Sequence, residues 1–82
     1  MFIVYVLKSN IVKKSYVGVT DNLERRLKEH NSGKHFYTKR YLPWEVIYKE
    51  EFDNFKDARK REKFLKSTSG RRFLKKLFNN IN

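Results

Sequence analysis

The sequence predicts an α+β fold: a small three-stranded antiparallel sheet flanked by helices, with a ββαβα core and a short C-terminal helix. Three observations carry this reading. Phe2-Ile-Val-Tyr-Val-Leu7 is apolar on both alternating faces, as a strand covered on both sides must be. Asp21 stands three residues before Glu24, just ahead of leucines spaced i, i+4, which marks a capped helix. Phe55, Ala58 and Leu65 then recur at helical spacing after a stretch that alternates like a strand.

The first strand, Phe2 to Leu7, belongs in the middle of the sheet because both of its faces need cover. Lys8 to Lys14 is polar apart from Ile11 and Val12 and leads to a second strand at about Ser15 to Val19, closing an antiparallel hairpin. A register pairing Tyr5 with Tyr16 sets both phenols on one face, although the residues do not fix that register. Gly18 marks a bulge, a simple bend or a close approach by another group. The first helix starts at Asp21, with Glu24 as capping-box partner, and runs to about His30, where Asn31 and Gly33 stop it. Leu23 and Leu27 face inward. Arg26 and His30 lie three residues beyond them, on the margin of the buried stripe, where a helix can offer polar groups to a neighbouring sheet. These residues alone are equally consistent with a solvated cation and a helix terminus.

Residues 32–42 carry Lys34, His35, Phe36, Tyr37, Lys39, Arg40 and Tyr41, cations interleaved with aromatics in a loop too long to be a mere connector. The mixture suits a flexible strand of nucleic acid, with cations for phosphates and rings for bases. It equally suits rings packed on the core and cations left in water. After Pro43, Trp44, Val46, Tyr48 and Phe52 alternate with Glu45, Lys49 and Glu51, which describes an edge strand with one apolar face. The second helix begins near Asn54 and runs to about Lys66. Glu62 falls on its apolar stripe, and a buried carboxylate needs a cation, hydrogen bonds or a metal. Arg26 is an available cation, and a simple salt bridge would meet that need. Ser69 caps the short last helix, whose Phe73, Leu74, Leu77 and Phe78 pack inward while Arg71, Arg72, Lys75 and Lys76 face out; Asn79 to Asn82 fray.

With 82 residues the chain makes one domain, 1–82, close to the size at which one core barely suffices. An apolar share of 39%, with seven Phe, five Tyr and one Trp, supplies that core and excludes disorder. A formal charge of +11 calls for a polyanionic partner, nucleic acid ahead of an anionic membrane surface. The longest apolar run is too short to span a bilayer and no charged start precedes it as in a signal peptide, so the expected location is cytoplasmic. The absence of cysteine excludes disulfides and thiolate metal sites.

Ile3-Val4-Tyr5, then Tyr16-Val17-Gly18, the Leu23-Glu-Arg-Arg-Leu27 helix with His30, the Asn31-Ser-Gly33 turn and Ala58-Arg-Lys-Arg-Glu62 follow one another over nearly the whole chain. This order resembles the GIY-YIG nuclease superfamily, in particular its small single-domain bacterial, UPF0213-like members. The resemblance implies hydrolysis of a phosphodiester assisted by one divalent cation, Mg²⁺ or Mn²⁺, held by Glu62 through hard oxygen ligation. It implies that Tyr5, helped by Tyr16, orients or deprotonates the attacking water, with neighbouring cations needed to lower a phenol pKa of about 10. Arg26 would stabilise charge on the phosphoryl oxygens, His30 would support a tyrosine or assist proton transfer, and Gly18 would leave room for a close approach. Lys34, His35, Lys39, Arg40, Arg59, Arg71 and Arg72 would hold nucleic acid, most naturally DNA. Two departures are visible. Ile3 replaces the family's first glycine, and the asparagine that some relatives place near the domain's end has only Asn79, Asn80 and Asn82 as counterparts here.

Three readings follow: a DNA endonuclease module, directed by structure rather than sequence since the chain carries no separate targeting domain; a non-catalytic binding module of the same fold; or a domain that works inside a repair assembly, a protein partner supplying the targeting. The retained Tyr5, Tyr16, Arg26, His30 and Glu62 favour the first.

Overall fold

The structure, a computed structural model, describes residues 1–81 apart from the side chains of residues 78, 80 and 81. In chain order it runs β1 (Phe2–Ser9), β2 (Ser15–Thr20), α1 (Leu23–Asn31), a 3-10 turn (Thr38–Arg40), β3 (Trp44–Phe52), α2 (Phe55–Lys66) and α3 (Thr68–Ile81). The sheet is antiparallel in the order β2-β1-β3, so the strand that is apolar on both faces is central and β3 lies at an edge. Leu23 and Leu27 of α1 cover one face, against Ile3, Tyr5, Leu7, Trp44 and Val46. Ala58 and Leu65 of α2 and Leu74 of α3 cover the other, against Val4, Val6 and Val17.

Tyr5 lies opposite Gly18, and Tyr16 opposite Leu7. The two phenols therefore meet diagonally rather than as a direct pair, still on one face because side chains alternate with period two, with ring centroids 6.3 Å apart. Of the three readings of Gly18, close approach is the one observed: a Cβ there would sit 2.5 Å from Tyr5 Oη and 2.6 Å from its Cζ. The bulge is elsewhere, on β3, where the register slips between Val6 and Leu7 and Ile47 becomes the extra residue. That slip corrects the expected single apolar face of β3. Trp44 and Val46 pack on the α1 side, while Ile47, Tyr48 and Phe52 pack on the α2–α3 side.

Helix ends also differ from expectation. Thr20 Oγ1 accepts from the Asn22 N–H (3.1 Å) and holds the chain in a turn, so Asn22, not Asp21, caps α1 by accepting from Arg25 N. α2 begins where the sequence places it, with Asn54 as its cap. Phe55 is exposed and only leans edge-on against Phe2, so the α2 stripe is narrower than its sequence suggests. Ser67, not Ser69, caps α3: its Oγ accepts from Gly70 N and its carbonyl from Arg71 N. α3 is the longest helix rather than a short one, continuing through Asn79 to Ile81 because Phe73, Leu74 and Leu77 anchor it to the sheet side. Gly70 lets it start directly against α2, since a Cβ there would collide with Phe64 O and Leu65 Cα. The expected inward packing of Phe78, and residue Asn82, lie outside the described residues.

Candidate active site

The odd-numbered face of β1 presents Tyr5, which is 2% exposed yet carries a hydroxyl. A buried hydroxyl must find a partner, and His30 supplies it: Tyr5 Oη lies 3.1 Å from His30 Nε2. His30, in the last turn of α1, is wholly buried, and its Nδ1 lies 2.8 Å from Thr38 Oγ1. Thr38 is wholly buried too and is held from a second side, its carbonyl accepting from Trp44 Nε1 at 2.7 Å. Asn31 closes the frame by accepting from the Trp44 N–H (2.6 Å) and donating to its carbonyl (3.0 Å). Tyr5, His30, Thr38 and Trp44 thus form a continuous chain from the central strand to the edge strand through α1 and the 3-10 turn.

Tyr16 stands beside this chain, with ring centroids 4.9 Å from His30 and 5.1 Å from His35. His35 Nδ1 accepts from Thr38 N at 3.4 Å, which leaves its Nε2–H to donate to Tyr16 Oη at 3.3 Å. His35, expected among the nucleic-acid contacts, is therefore part of the tyrosine cluster. Two proton arrangements satisfy the His30 ring. With Nδ1–H donating to Thr38, Nε2 accepts the Tyr5 proton; with Thr38 donating to Nδ1, Nε2–H donates to Tyr5.

Burial pushes the Tyr5 phenol well above its ordinary pKa, and Tyr16, Glu62 and Glu29 push the same way while Arg26 opposes them. The condition that neighbouring cations lower the Tyr5 pKa is not met: desolvation outweighs Arg26, and the phenol is neutral at physiological pH. His30 is pushed down to about 4, first by burial and then by His35 and Arg26, so its ring is neutral as well. Tyr5 and His30 are two neutral partners sharing one hydrogen bond.

Arg26 and Glu62 bear on the Tyr5 phenol through their charges, in opposite directions. They are not each other's partners. Arg26 Nη1 pairs with Glu29 at 3.3 Å, both half-exposed, while the Glu62 carboxylate, 6% exposed, is held within α2. Arg59 Nη1 donates to Glu62 Oε1 and Lys66 Nζ to Oε2 (3.0 Å), the i−3 and i+4 neighbours of a helical residue. Both carboxylate oxygens are thus engaged by cations. Among the described residues no three acidic or histidine side chains converge. One carboxylate is nonetheless a donor set that suits Mg²⁺ or Mn²⁺, which keep several waters and complete their shell with substrate phosphate oxygens.

Lys34, Lys39, Arg40, Arg59, Arg71 and Arg72 lie on the surface. Lys39 and Arg40 flank the exposed Phe36 ring, with centroid distances of 5.3 and 6.0 Å. Arg71 lines a groove beside Tyr16. Arg61, by contrast, is spent on structure, its Nε donating to both Glu50 oxygens and its guanidinium stacked on Phe64 and Phe73.

The arrangement is a phenol pair, an imidazole, a guanidinium and a carboxylate drawn from β1, β2, α1 and α2. Residues 1–77 match the family profile described as the GIY-YIG catalytic domain. The chain belongs to the GIY-YIG family. It is 41% identical over 68 residues to a UPF0213 protein of Syntrophus aciditrophicus, covering 80% of this chain and 77% of that one. A UPF0213 protein of Staphylococcus haemolyticus is 37% identical over 73 residues, 88% of each chain. The solution NMR structure of a UPF0213 protein from Bacillus halodurans is similar with a TM-score of 0.55 at 30% identity, over 94% of this chain and 85% of that one. GIY-YIG proteins are nucleases that generally use a divalent metal, so nucleic acid is the substrate class of the family. No helix among the described residues is long and apolar enough to cross a membrane.

Of the five residues singled out in the sequence, Tyr5, Tyr16 and His30 meet directly, whereas Arg26 pairs with Glu29 and Glu62 with Arg59 and Lys66. Thr38, Asn31 and Trp44 carry no sign of their part in the site. A threonine between an aromatic and a lysine has no spacing signal, and its link to His30 exists only once the loop folds back on α1.

Proposed function

We propose that this chain is a metal-dependent endonuclease module that hydrolyses DNA phosphodiester bonds in distorted or branched structures. The observation that carries the reading is the Tyr5–His30 hydrogen bond, buried and held from behind by Thr38. In a binding module nothing requires a buried phenol–imidazole pair beside a carboxylate. The reading takes residues 1–82 as one domain working in the cytoplasm, with Lys34, His35, Lys39, Arg40, Arg59, Arg71 and Arg72 holding the nucleic acid and a protein partner free to supply targeting.

Tyr5 Oη orients the attacking water and takes its proton, passing its own to His30 Nε2, as the first of the two proton arrangements permits. The water oxygen forms the new bond to phosphorus, the bond to the leaving sugar oxygen breaks, and that oxygen takes a proton from solvent while His30 returns its own to solvent. Tyr16, hydrogen-bonded by His35, fixes the other side of the water's position. Arg26, turning from Glu29, meets the negative charge that grows on the phosphoryl oxygens. Glu62 would hold Mg²⁺ or Mn²⁺, which when bound polarises the phosphate and favours the departing oxyanion. For that, Arg59 and Lys66 must release the carboxylate to the metal, and the phosphates of a bound strand offer them an alternative partner.

The double engagement of Glu62 is the one observation favouring a non-catalytic module, because it satisfies the carboxylate without any metal. Cleavage of labelled duplex, single-stranded and branched DNA with Mg²⁺ or Mn²⁺ separates the two. The native chain should cleave, Tyr5→Phe should lose about 10²–10⁴-fold, and Glu62→Gln should fall to background, each still binding DNA. Binding without cleavage by the native chain on every substrate would leave only the binding module.

A further inference from the structure

Beside the tyrosine cluster lies an open groove of about 280 Å³, between β2 and the α2–α3 junction, lined by Ser15, Tyr16, Val17, Tyr37, Lys66 and Arg71. The Tyr16 and Tyr37 rings meet at a centroid distance of 6.0 Å and form an aromatic wall, Tyr37 being 42% exposed. The exposed Lys66 and Arg71 also line the groove, Lys66 with its ammonium 3.0 Å from Glu62 Oε2. Along it runs β2, an edge strand whose outer side has no strand partner among the described residues and so offers backbone donors and acceptors. The groove is joined to the candidate active site twice: Tyr16 packs on His30, and Lys66 contacts Glu62.

We propose that this groove holds one unpaired DNA nucleotide next to the phosphate to be cut, its base against the Tyr16–Tyr37 wall and its phosphate on Lys66 and Arg71. The inference rests on the nucleic-acid substrate of the proposed nuclease and narrows it to structures with an unpaired base. A base inside a duplex has both faces covered by its neighbours and offers nothing to a tyrosine ring, whereas an unpaired base presents a free face. The phosphate that follows the base meets the two cations that line the same groove. Exposed Phe36, flanked by Lys39 and Arg40, continues the same alternation of ring and cation along the 32–42 loop.

The test is binding without divalent metal, so that cleavage does not intervene, to a continuous duplex and to the same duplex carrying one extra unpaired 2-aminopurine. The native chain should bind the second at least about fivefold more tightly and quench the 2-aminopurine by stacking. Tyr37→Ala, whose ring is half-exposed and whose fold is checked by circular dichroism, should lose both the preference and the quenching while binding the continuous duplex as before. Tyr37→Phe, which keeps the ring, should retain both. Arg71→Met should weaken binding of the bulged duplex and reduce its salt slope by about one. Equal native affinity for the two duplexes, or a preference and quenching that survive Tyr37→Ala, would overturn the proposal. Adding Mg²⁺ afterwards tests the nuclease separately: a Tyr37-dependent preference without cleavage keeps the groove and removes the endonuclease, and cleavage without the preference does the reverse.

Discussion

The two faces of β1 are built from the same strand and do different work. Val4 and Val6 point to a face closed by Ala58, Leu65 and Leu74, a dry core of apolar contacts rimmed by Phe2, Tyr48, Phe52 and Phe73. Tyr5, Leu7 and Ser9 point to the other, where buried side chains are hydrogen-bonded as well as packed: Tyr5 to His30, His30 to Thr38, and Ser9 Oγ to the Tyr41 carbonyl at 2.6 Å. No buried side-chain polar atom among the described residues lacks a partner. The dry face lowers the free energy by removing apolar surface from water and tolerates any packing of the right volume. The hydrogen-bonded face contributes little net stability per bond and loses much when one partner is missing, so it specifies positions rather than merely adding cohesion.

The largest expected break of this contrast is on the dry side. Leu65→Ala should cost about 2–5 kcal/mol in chemical denaturation, while any activity per folded molecule stays close to native. A loss of activity larger than the loss of folded protein would mean that the two faces are not separable.

Acid should act on the other face through His30. The His30 pKa of about 4 in the folded state lies below its ordinary 6.5, so between these values the unfolded chain binds more protons and stability rises with pH. The contribution is complete above about pH 6.5 and falls away toward pH 4, by on the order of 3 kcal/mol. Urea midpoints measured across this range should show the fall in the native chain and a flatter profile in His30→Gln. Tyr5 has the opposite sign in alkali, since its raised pKa adds stability below about pH 10 that is lost as pH rises further.

Thr38→Val keeps the volume and removes the hydroxyl facing His30 Nδ1. It should cost about 1–3 kcal/mol and reduce cleavage more than it reduces folded protein, because His30 loses the partner that orients its ring. Equal losses in both would mark Thr38 as structural only. The smallest effect belongs to neither face. Lys28→Ala, removing an exposed i,i+4 pair with Glu24 at 3.8 Å, should change stability by about 0.5 kcal/mol or less.

Much of the fold is legible in the residues themselves. The two-sided apolarity of Phe2 to Leu7 requires a central strand, Asn54 stands where a cap is needed, and Glu62 stands out as a carboxylate on an apolar stripe. The misplaced helix starts and the misread face of β3 share one cause, a displacement that residue type does not record. Asp21 and Ser69 are good caps by chemistry, but the turn closed by Thr20 moves one helix start and the crossing at Gly70 moves the other. The alternation along β3 suggests a single apolar face because a bulge at Ile47 leaves no mark on period-two counting.

Local chemistry, then, is what the residues determine by themselves: the order of strands and helices, the basic surface, and which side chains can carry a proton or a charge. Tertiary structure decides which of those side chains meet. It places Gly18 under the Tyr5 ring, gives Glu62 to Arg59 and Lys66 rather than to Arg26, and folds the 32–42 loop back so that Thr38 and His35 join the histidine and tyrosines. The physical reason is range. Propensity and periodicity act over a few residues along the chain, whereas the contacts that hold Tyr5, His30 and Thr38 depend on strand register and loop closure between residues far apart in sequence.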